Sequence, residues 1–245
     1  KVYPHKNMDE LKKLLEEAQG KFRRILVITD GVFSMDGDIA PLDKISALCR
    51  EFSAISYVDD AHGDGVLGKG RGIIHHFHLE GKWDIEMGTF SKAFGVVGGY
   101  VSGSHELKEF AFNKSRTWLL SGSAPPATAA ACMASLEVVE KEPKHVQKLW
   151  KNTAYWKKGL KKIGFDTGVS ETPIVPVMLG ESAIAQKFAQ RLMEEGIFAL
   201  PIVFPMVAKD KARIRSMMNA ALKKEDLDVA LEKFEKIGKE LGAIK

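Results

Sequence analysis

Residues 54–63 read Ala-Ile-Ser-Tyr-Val-Asp-Asp-Ala-His-Gly, a short β-branched and aromatic run that ends in carboxylates, an imidazole and a glycine. A run of this length bounded by a turn is a buried strand rather than a helix. Upstream, Ile25–Thr29 has the same texture and is followed by Asp30-Gly31. Downstream, Ile85-Glu-Met-Gly88 leads into Thr89-Phe-Ser-Lys92. Helical spacing separates the first two runs: Leu42, Ile45, Leu48, Cys49 and Phe52 share one face behind Pro41, which suits a first helical turn. Strand, helix, strand repeated in this way predicts an α/β fold with a mostly parallel, covered sheet.

Outward from that centre, Met8, Leu11, Leu14, Leu15 and Ala18 predict an opening amphipathic helix that starts at Asn7 and stops at Gly20. Gly99–Ser102 reads as a further strand, and helices are expected over His105–Lys114 and Pro126–Lys141. The uncharged stretch from Thr117 to Leu136 carries Pro125 and Pro126 and several hydroxyls, so it reads as a loop feeding a buried helix and not as a membrane span. Beyond Glu142-Pro143 the texture changes to a Lys-rich helix, then Ile174–Leu179, a helix over Ala183–Glu195, strands at Ile197–Val203 and Ala212–Met218, and a last helix over Glu225–Leu241. The expected division is a large domain over 1–141 and an α+β small domain over 142–245.

The chain has 245 residues, 45% hydrophobic and 28% charged, which excludes a disordered or fibrous protein. Lys and Arg number 36 against 32 Asp and Glu, and their scatter makes no stripe suited to nucleic acid. Two distant cysteines, Cys49 and Cys132, fit a reducing compartment, with the cytoplasm as the default. The opening Lys1-Val-Tyr-Pro leads straight into a helix with no initiator Met, as expected of a piece of a longer polypeptide.

Ligands of open α/β sheets gather at the carboxyl ends of the strands. Those ends here are Asp30 to Gly37 with Ser34, Asp59 to Gly63 with His62, and Gly88 to Ala93 with Thr89 and Lys92. A hydroxyl, a carboxylate with an imidazole, and a hydroxyl with an amine are thus expected on one rim. Gly63-Asp-Gly-Val-Leu-Gly68 matches a dinucleotide fingerprint in form, but Lys69-Gly-Arg-Gly72 follows instead of a long helix, so that reading is rejected. His75, His76 and His78 lack companion Cys or carboxylate spacing, and no metal is expected.

Eight segments in order carry a resemblance: Asp30-Gly-Val-Phe-Ser-Met-Asp-Gly37, Val58-Asp-Asp-Ala-His-Gly63, Gly65-Val-Leu-Gly68 with Gly70-Arg-Gly72, Gly88-Thr-Phe-Ser-Lys-Ala93, Gly98-Gly-Tyr100, Ser121-Gly-Ser-Ala-Pro-Pro126, Pro176-Val-Met-Leu-Gly180 and Ala212-Arg-Ile-Arg215. Together they resemble the α-oxoamine synthases, a family of fold-type I pyridoxal-phosphate enzymes that join an amino acid to an acyl-CoA. The resemblance covers essentially the whole chain. It implies pyridoxal 5′-phosphate as cofactor, with Lys92 as the Schiff-base lysine and Asp59 paired with the pyridinium nitrogen. His62 and Ser34 resemble the groups at the cofactor's phenolic oxygen, and Thr89 a phosphate ligand. Ser121 and Gly122 match a phosphate contact supplied by a partner subunit, which implies a homodimer with shared sites.

Arg215 matches the arginine that grips the substrate carboxylate, although Arg213, two residues earlier, would share its face of a regular strand. Asp60 likewise competes with Asp59 until strand alternation and the family pattern are applied. Catalysis is assigned by the resemblance to Lys92, His62 and Asp59. The leading expectation is condensation of glycine with acetyl-CoA, as in the glycine C-acetyltransferase group. The alternative is the 8-amino-7-oxononanoate synthase group, which uses alanine and pimeloyl-CoA, or else a non-catalytic chain of the same fold.

Overall fold

The computed structural model describes residues 1–245. By backbone contacts the chain forms two units, one of residues 1–32 and 40–143, the other of residues 33–39 and 144–245. Segment 33–39, which the expected division assigns to the first domain, therefore groups with the second unit.

In the first unit, α1 (Met8–Ala18) begins at Asn7, whose side chain accepts from the Glu10 N–H at 3.0 Å and satisfies one of the helix's open donors. It buries Leu11 and Leu15. Strand β1 (Leu26–Asp30) pairs in parallel with β2 (Ile55–Asp59), and β2 with β3 (Ile85–Thr89). Strand β4 (Gly99–Ser102) closes the order β1-β2-β3-β4 and runs antiparallel to β3. The β1 to β2 crossover is α2 (Leu42–Glu51), which buries Leu42, Ile45 and Cys49 on one stripe. Each of these elements lies within a residue or two of its expected span, because period-2 and period-3.6 patterns survive into the fold.

After β2 the chain makes a short 3-10 turn (Gly68–Gly70) and a five-residue helix, α3 (Gly72–His76). The absence of a long helix there agrees with rejecting the dinucleotide fingerprint. One expectation is overturned further on. Helices α4 (His105–Lys114), α5 (Arg116–Leu119) and α6 (Pro126–Lys141) bury no residue at all. Met133 is 73% exposed, so α6 is not the buried helix that its apolar composition predicts. Its small and apolar composition calls for burial, yet the chain covers only part of one side, where the Ser135 hydroxyl meets Phe94 O, and leaves Met133, Leu136 and Val138 exposed.

The second unit is an antiparallel sheet in the order β5-β7-β6, built from β5 (Ile174–Gly180), β6 (Leu200–Ile202) and β7 (Ala212–Met217). Helices α7 (Lys144–Lys162), α8 (Ser182–Glu194) and α9 (Lys224–Glu240) contribute Trp156, Phe188 and Phe234 to a core with Val175, Val177 and Ile214. Trp156 meets Phe234 edge-on at 5.2 Å, and its indole N–H donates to Ser216 Oγ at 2.8 Å, which satisfies the polar end of a buried ring. Segment 33–39 is tied to this unit at Gly37, whose carbonyl accepts from the Thr172 hydroxyl at 2.9 Å. Only glycine fits there, since φ is +72° and a Cβ would sit 2.2 Å from the Ile174 carbonyl oxygen. No helix is long and apolar enough to cross a membrane.

Candidate active site

In the first unit, β1 and β2 end side by side in carboxylates, with Asp30 opposite Asp59 in register, and Met87 of β3 lies opposite Asp59 on its other flank. The parallel ladder ends here, and the Gly31 N–H donates to the Asp59 carbonyl at 2.8 Å. Asp59 is half-buried, and one of its carboxylate oxygens accepts from the Ala61 N–H at 2.9 Å. The Asp30 carboxyl is raised above its ordinary value by partial burial and by the Asp59 charge, while Lys92 pulls it back. Asp30, Asp59 and Lys92 thus share one electrostatic neighbourhood at the carboxyl end of the sheet.

Lys92 is exposed on the loop between β3 and β4. That loop closes on itself: the Phe90 N–H donates to Gly98 O at 3.0 Å, Val96 N–H to Phe90 O at 2.8 Å, and the Thr89 hydroxyl to Gly98 O at 3.1 Å. Thr89 and Ser91 also join through their hydroxyls at 2.8 Å. His62 is half-buried on the turn after β2. Ser121 and Gly122 are exposed just before α6.

Ser34 and Arg215 belong to the second unit, and they meet: an Arg215 N–H donates to the Ser34 carbonyl at 3.1 Å. The structure separates the two arginines that spacing alone leaves equal. Arg213 is 4% exposed and held by three partners, its Nε donating to Lys211 O at 3.0 Å and its Nη1 to Met35 O at 3.1 Å and to the Asp36 carboxylate with which it pairs. Arg215 is half-buried and uses a single donor in that way, which leaves the rest of its fork open to an anion. Asn219 is a turn residue, its side-chain oxygen accepting from the Ala221 and Leu222 N–H groups at 2.9 and 3.1 Å.

Asp60 behaves unlike its neighbour. It is completely buried, one oxygen accepts from the Ile73 N–H at 2.7 Å, and the other has no hydrogen-bond partner. Asp60, Asp64 and Glu86 bring carboxylate oxygens within 4.8 Å of one another. Burial pushes Asp60 up to about 8, with Asp64, Glu86 and Asp59 adding to a rise that the Ile73 bond opposes. Glu86 rises to about 7 by burial and by the Asp64 charge. Burial raises Asp64 also, against the hydrogen bond from Tyr100. The group therefore keeps protons at neutral pH rather than standing as three anions. Sequence reading names Asp60 only as a competitor to Asp59 and does not find Asp64 or Glu86. The one local signal was the run of glycines, Gly63, Gly72 and Gly88, at each of which a Cβ would lie within 2.5 Å of a carboxylate oxygen of this group.

The family profile described as aminotransferase class I and II matches residues 1–234. The 8-amino-7-oxononanoate synthase of Symbiobacterium thermophilum is 52% identical over 243 residues, which are 99% of this chain and 62% of that protein. The 8-amino-7-oxononanoate synthase 1 of Bacillus subtilis is 49% identical over 242 residues, 98% of this chain and 62% of that protein. Among solved structures, a serine palmitoyltransferase from S. paucimobilis with bound PLP-myriocin superposes with a TM-score of 0.92 at 31% identity, over 98% of this chain and 61% of that one. This chain spans about 62% of the length of the curated relatives it matches. It belongs to the class I and II aminotransferase family, in the α-oxoamine synthase branch of the fold-type I pyridoxal-phosphate enzymes.

Proposed function

We propose that this member of the family serves a pyridoxal-phosphate-dependent condensation of alanine with pimeloyl-CoA, giving 8-amino-7-oxononanoate, CoA and CO₂. The observation that carries the choice is the 52% identity, over 99% of the chain, to a protein of that activity. It favours the alternative named from the sequence over the leading expectation of glycine and acetyl-CoA. Motif residues such as Lys92 and Asp59 serve the shared chemistry and do not distinguish acyl chains, so the short segments that carry the resemblance were poor guides to specificity.

The side chains at the end of the first unit's sheet fit the cofactor by their chemistry: an accessible amine for an aldehyde, and an anion, Asp59, for a protonated ring nitrogen. In this reading Lys92 holds the cofactor, Asp59 pairs with the ring nitrogen, and His62 and Ser34 hydrogen-bond the phenolic oxygen. Thr89 holds the phosphate, together with Ser121 and Gly122 contributed across a homodimer. When bound, the cofactor supplies an electron sink for the carbon that loses a bond.

The chain's own groups do the rest. With alanine bound, the Lys92 amine would take the α-proton and return one after CO₂ has left. Arg215 holds the alanine carboxylate through a charge-assisted fork, which orients the α-carbon. His62 polarises the thioester carbonyl as the new carbon–carbon bond forms and the thiolate leaves.

The test is borohydride trapping with pyridoxal phosphate followed by peptide mapping, and thiol release with each substrate pair. A single adduct on Lys92, with thiol release from alanine and pimeloyl-CoA exceeding that from glycine and acetyl-CoA, is expected. Reduction onto other lysines equally well, or a preference for glycine and acetyl-CoA, overturns the proposal.

A further inference from the structure

We infer that Asp64 and Gly65, adjacent residues of the loop after β2, are positioning residues for the Lys92 amine; the inference rests on the reading of Lys92 given above. Hydrogen bonds inside residues 89–98 fix the shape of the Lys92 loop but not its place on the sheet. Two contacts from the loop after β2 supply that placement, one at the base and one at the tip.

At the base, Tyr100 of β4 lies opposite Gly88 of β3, and its phenol donates to Asp64 Oδ2 at 2.8 Å. A Cβ on Gly88 would lie 2.1 Å from that oxygen and 2.4 Å from the Tyr100 ring, so carboxylate and ring together fill the space over the strand end. Asp64 is 7% exposed, and this bond is made in a setting where a lost partner is costly. Tyr100 also lies 5.6 Å from the Phe90 ring, the first residue of the loop. At the tip, buried Gly65 presents a bare α-carbon to Ala93, the residue after Lys92. A Cβ at Gly65 would stand 2.5 Å from Ala93 Cβ, and nothing else lies closer than 3.9 Å. A further tie reaches the loop from α6, where the Ser135 hydroxyl donates to Phe94 O at 2.9 Å.

Asp59 ends the strand from which this same loop departs, five residues before Asp64. One rigid turn, 60–65, therefore sets where Lys92 stands relative to Asp59. Neither Asp64 nor Gly65 is among the cofactor or substrate contacts proposed above.

The test compares Gly65→Ala, the double variant Gly65→Ala/Ala93→Gly, and Tyr100→Phe with the unaltered chain. Two readouts are taken: amide exchange across residues 88–98 without cofactor, and the pH profile of borohydride-trapped pyridoxal phosphate on Lys92. Gly65→Ala should speed exchange at the Phe90 and Val96 amides by about tenfold and slow trapping by a similar factor, with the pH profile displaced. Both Gly65 variants share the same left-handed backbone, φ +73°, and hence the same strain, but only the double variant removes the colliding atom. It should return both readouts to within about threefold of the unaltered chain.

A double variant as impaired as the single one would show that Gly65 serves its own backbone only, and would overturn its role. Tyr100→Phe keeps the ring and loses the bond to Asp64, so it remains informative if Gly65→Ala fails to fold. Unchanged exchange and trapping in it would remove Asp64 from the inference. Should the exchange pattern hold while the unaltered chain traps no adduct, the positioning stands and the cofactor reading of Lys92 fails.

Discussion

The substitution Asp60→Asn should flatten the pH dependence of stability. Asp60 has no exposed surface, and burial raises its carboxyl from 3.8 to about 8. An acid whose pKa is higher folded than unfolded binds more protons in the native state. Its stabilising contribution is complete below the unfolded pKa and is lost as pH rises through the folded one. Stability is therefore lost progressively between about pH 4 and pH 8, and the unaltered chain should lose roughly 2–3 kcal/mol between pH 5 and pH 7 through this residue. The amide introduced by Asp60→Asn keeps an oxygen for the Ile73 N–H and cannot ionise, although its two N–H donors replace the single O–H of the protonated acid, which lowers stability by a pH-independent amount. Glu86 and Asp64 titrate with the same sign and remain in both proteins, so the difference between the two measures Asp60 together with its coupling to them. Urea denaturation followed by tryptophan fluorescence at pH 5, 6 and 7 measures it. Equal losses of stability in the two proteins over that range would refute the assignment of a buried, proton-bearing Asp60.

Arg215→Ala should weaken the amino-acid substrate by about 1.5–3 kcal/mol, roughly tenfold to over a hundredfold in its concentration dependence, without unfolding the chain. An unchanged dependence on alanine would move the carboxylate grip elsewhere. Arg213→Ala should instead cost about 1.5–3 kcal/mol of stability, because three bonds to the Arg213 guanidinium are lost; Asp36 keeps 40% of its side chain exposed, so its charge remains solvated. A melting temperature equal to that of the unaltered chain would contradict this. Phe188→Ala, at a fully buried position between Phe165 and Phe234, should cost about 3–5 kcal/mol in chemical denaturation, and a cost below about 1 kcal/mol would mean that the second unit's core repacks freely.

Asp59 and Asp60 show how far strand alternation reaches. Alternation along β2 puts adjacent side chains on opposite sides, and the structure leaves one half-buried at the strand end and the other wholly enclosed. Arg213 and Arg215 show where it stops: two apart on one strand, they share a face, and only the carbonyls of Met35 and Ser34, some 180 residues away, give them different partners. The motifs quoted for the resemblance carry chemistry common to the family and do not separate its substrate pairs, whereas identity along 99% of the chain favours the 8-amino-7-oxononanoate synthase alternative over the glycine reading.

What the sequence determined by itself is whatever repeats locally. The spans of β1 to β4, the stripe of α2 and the positions of Asp59, Thr89 and Lys92 at strand ends follow from periodicity and turn residues, and the order of the motifs carries the family resemblance. Tertiary structure alone decided the rest. Residues 64, 86 and 100 meet because three chain segments converge on Gly88, and Gly65 meets Ala93 across 28 positions. The exposure of α6 depends in the same way on what packs against it, which its own composition does not encode. Local pattern specifies the direction in which a side chain leaves the backbone; the group it meets there depends on how distant segments fold together.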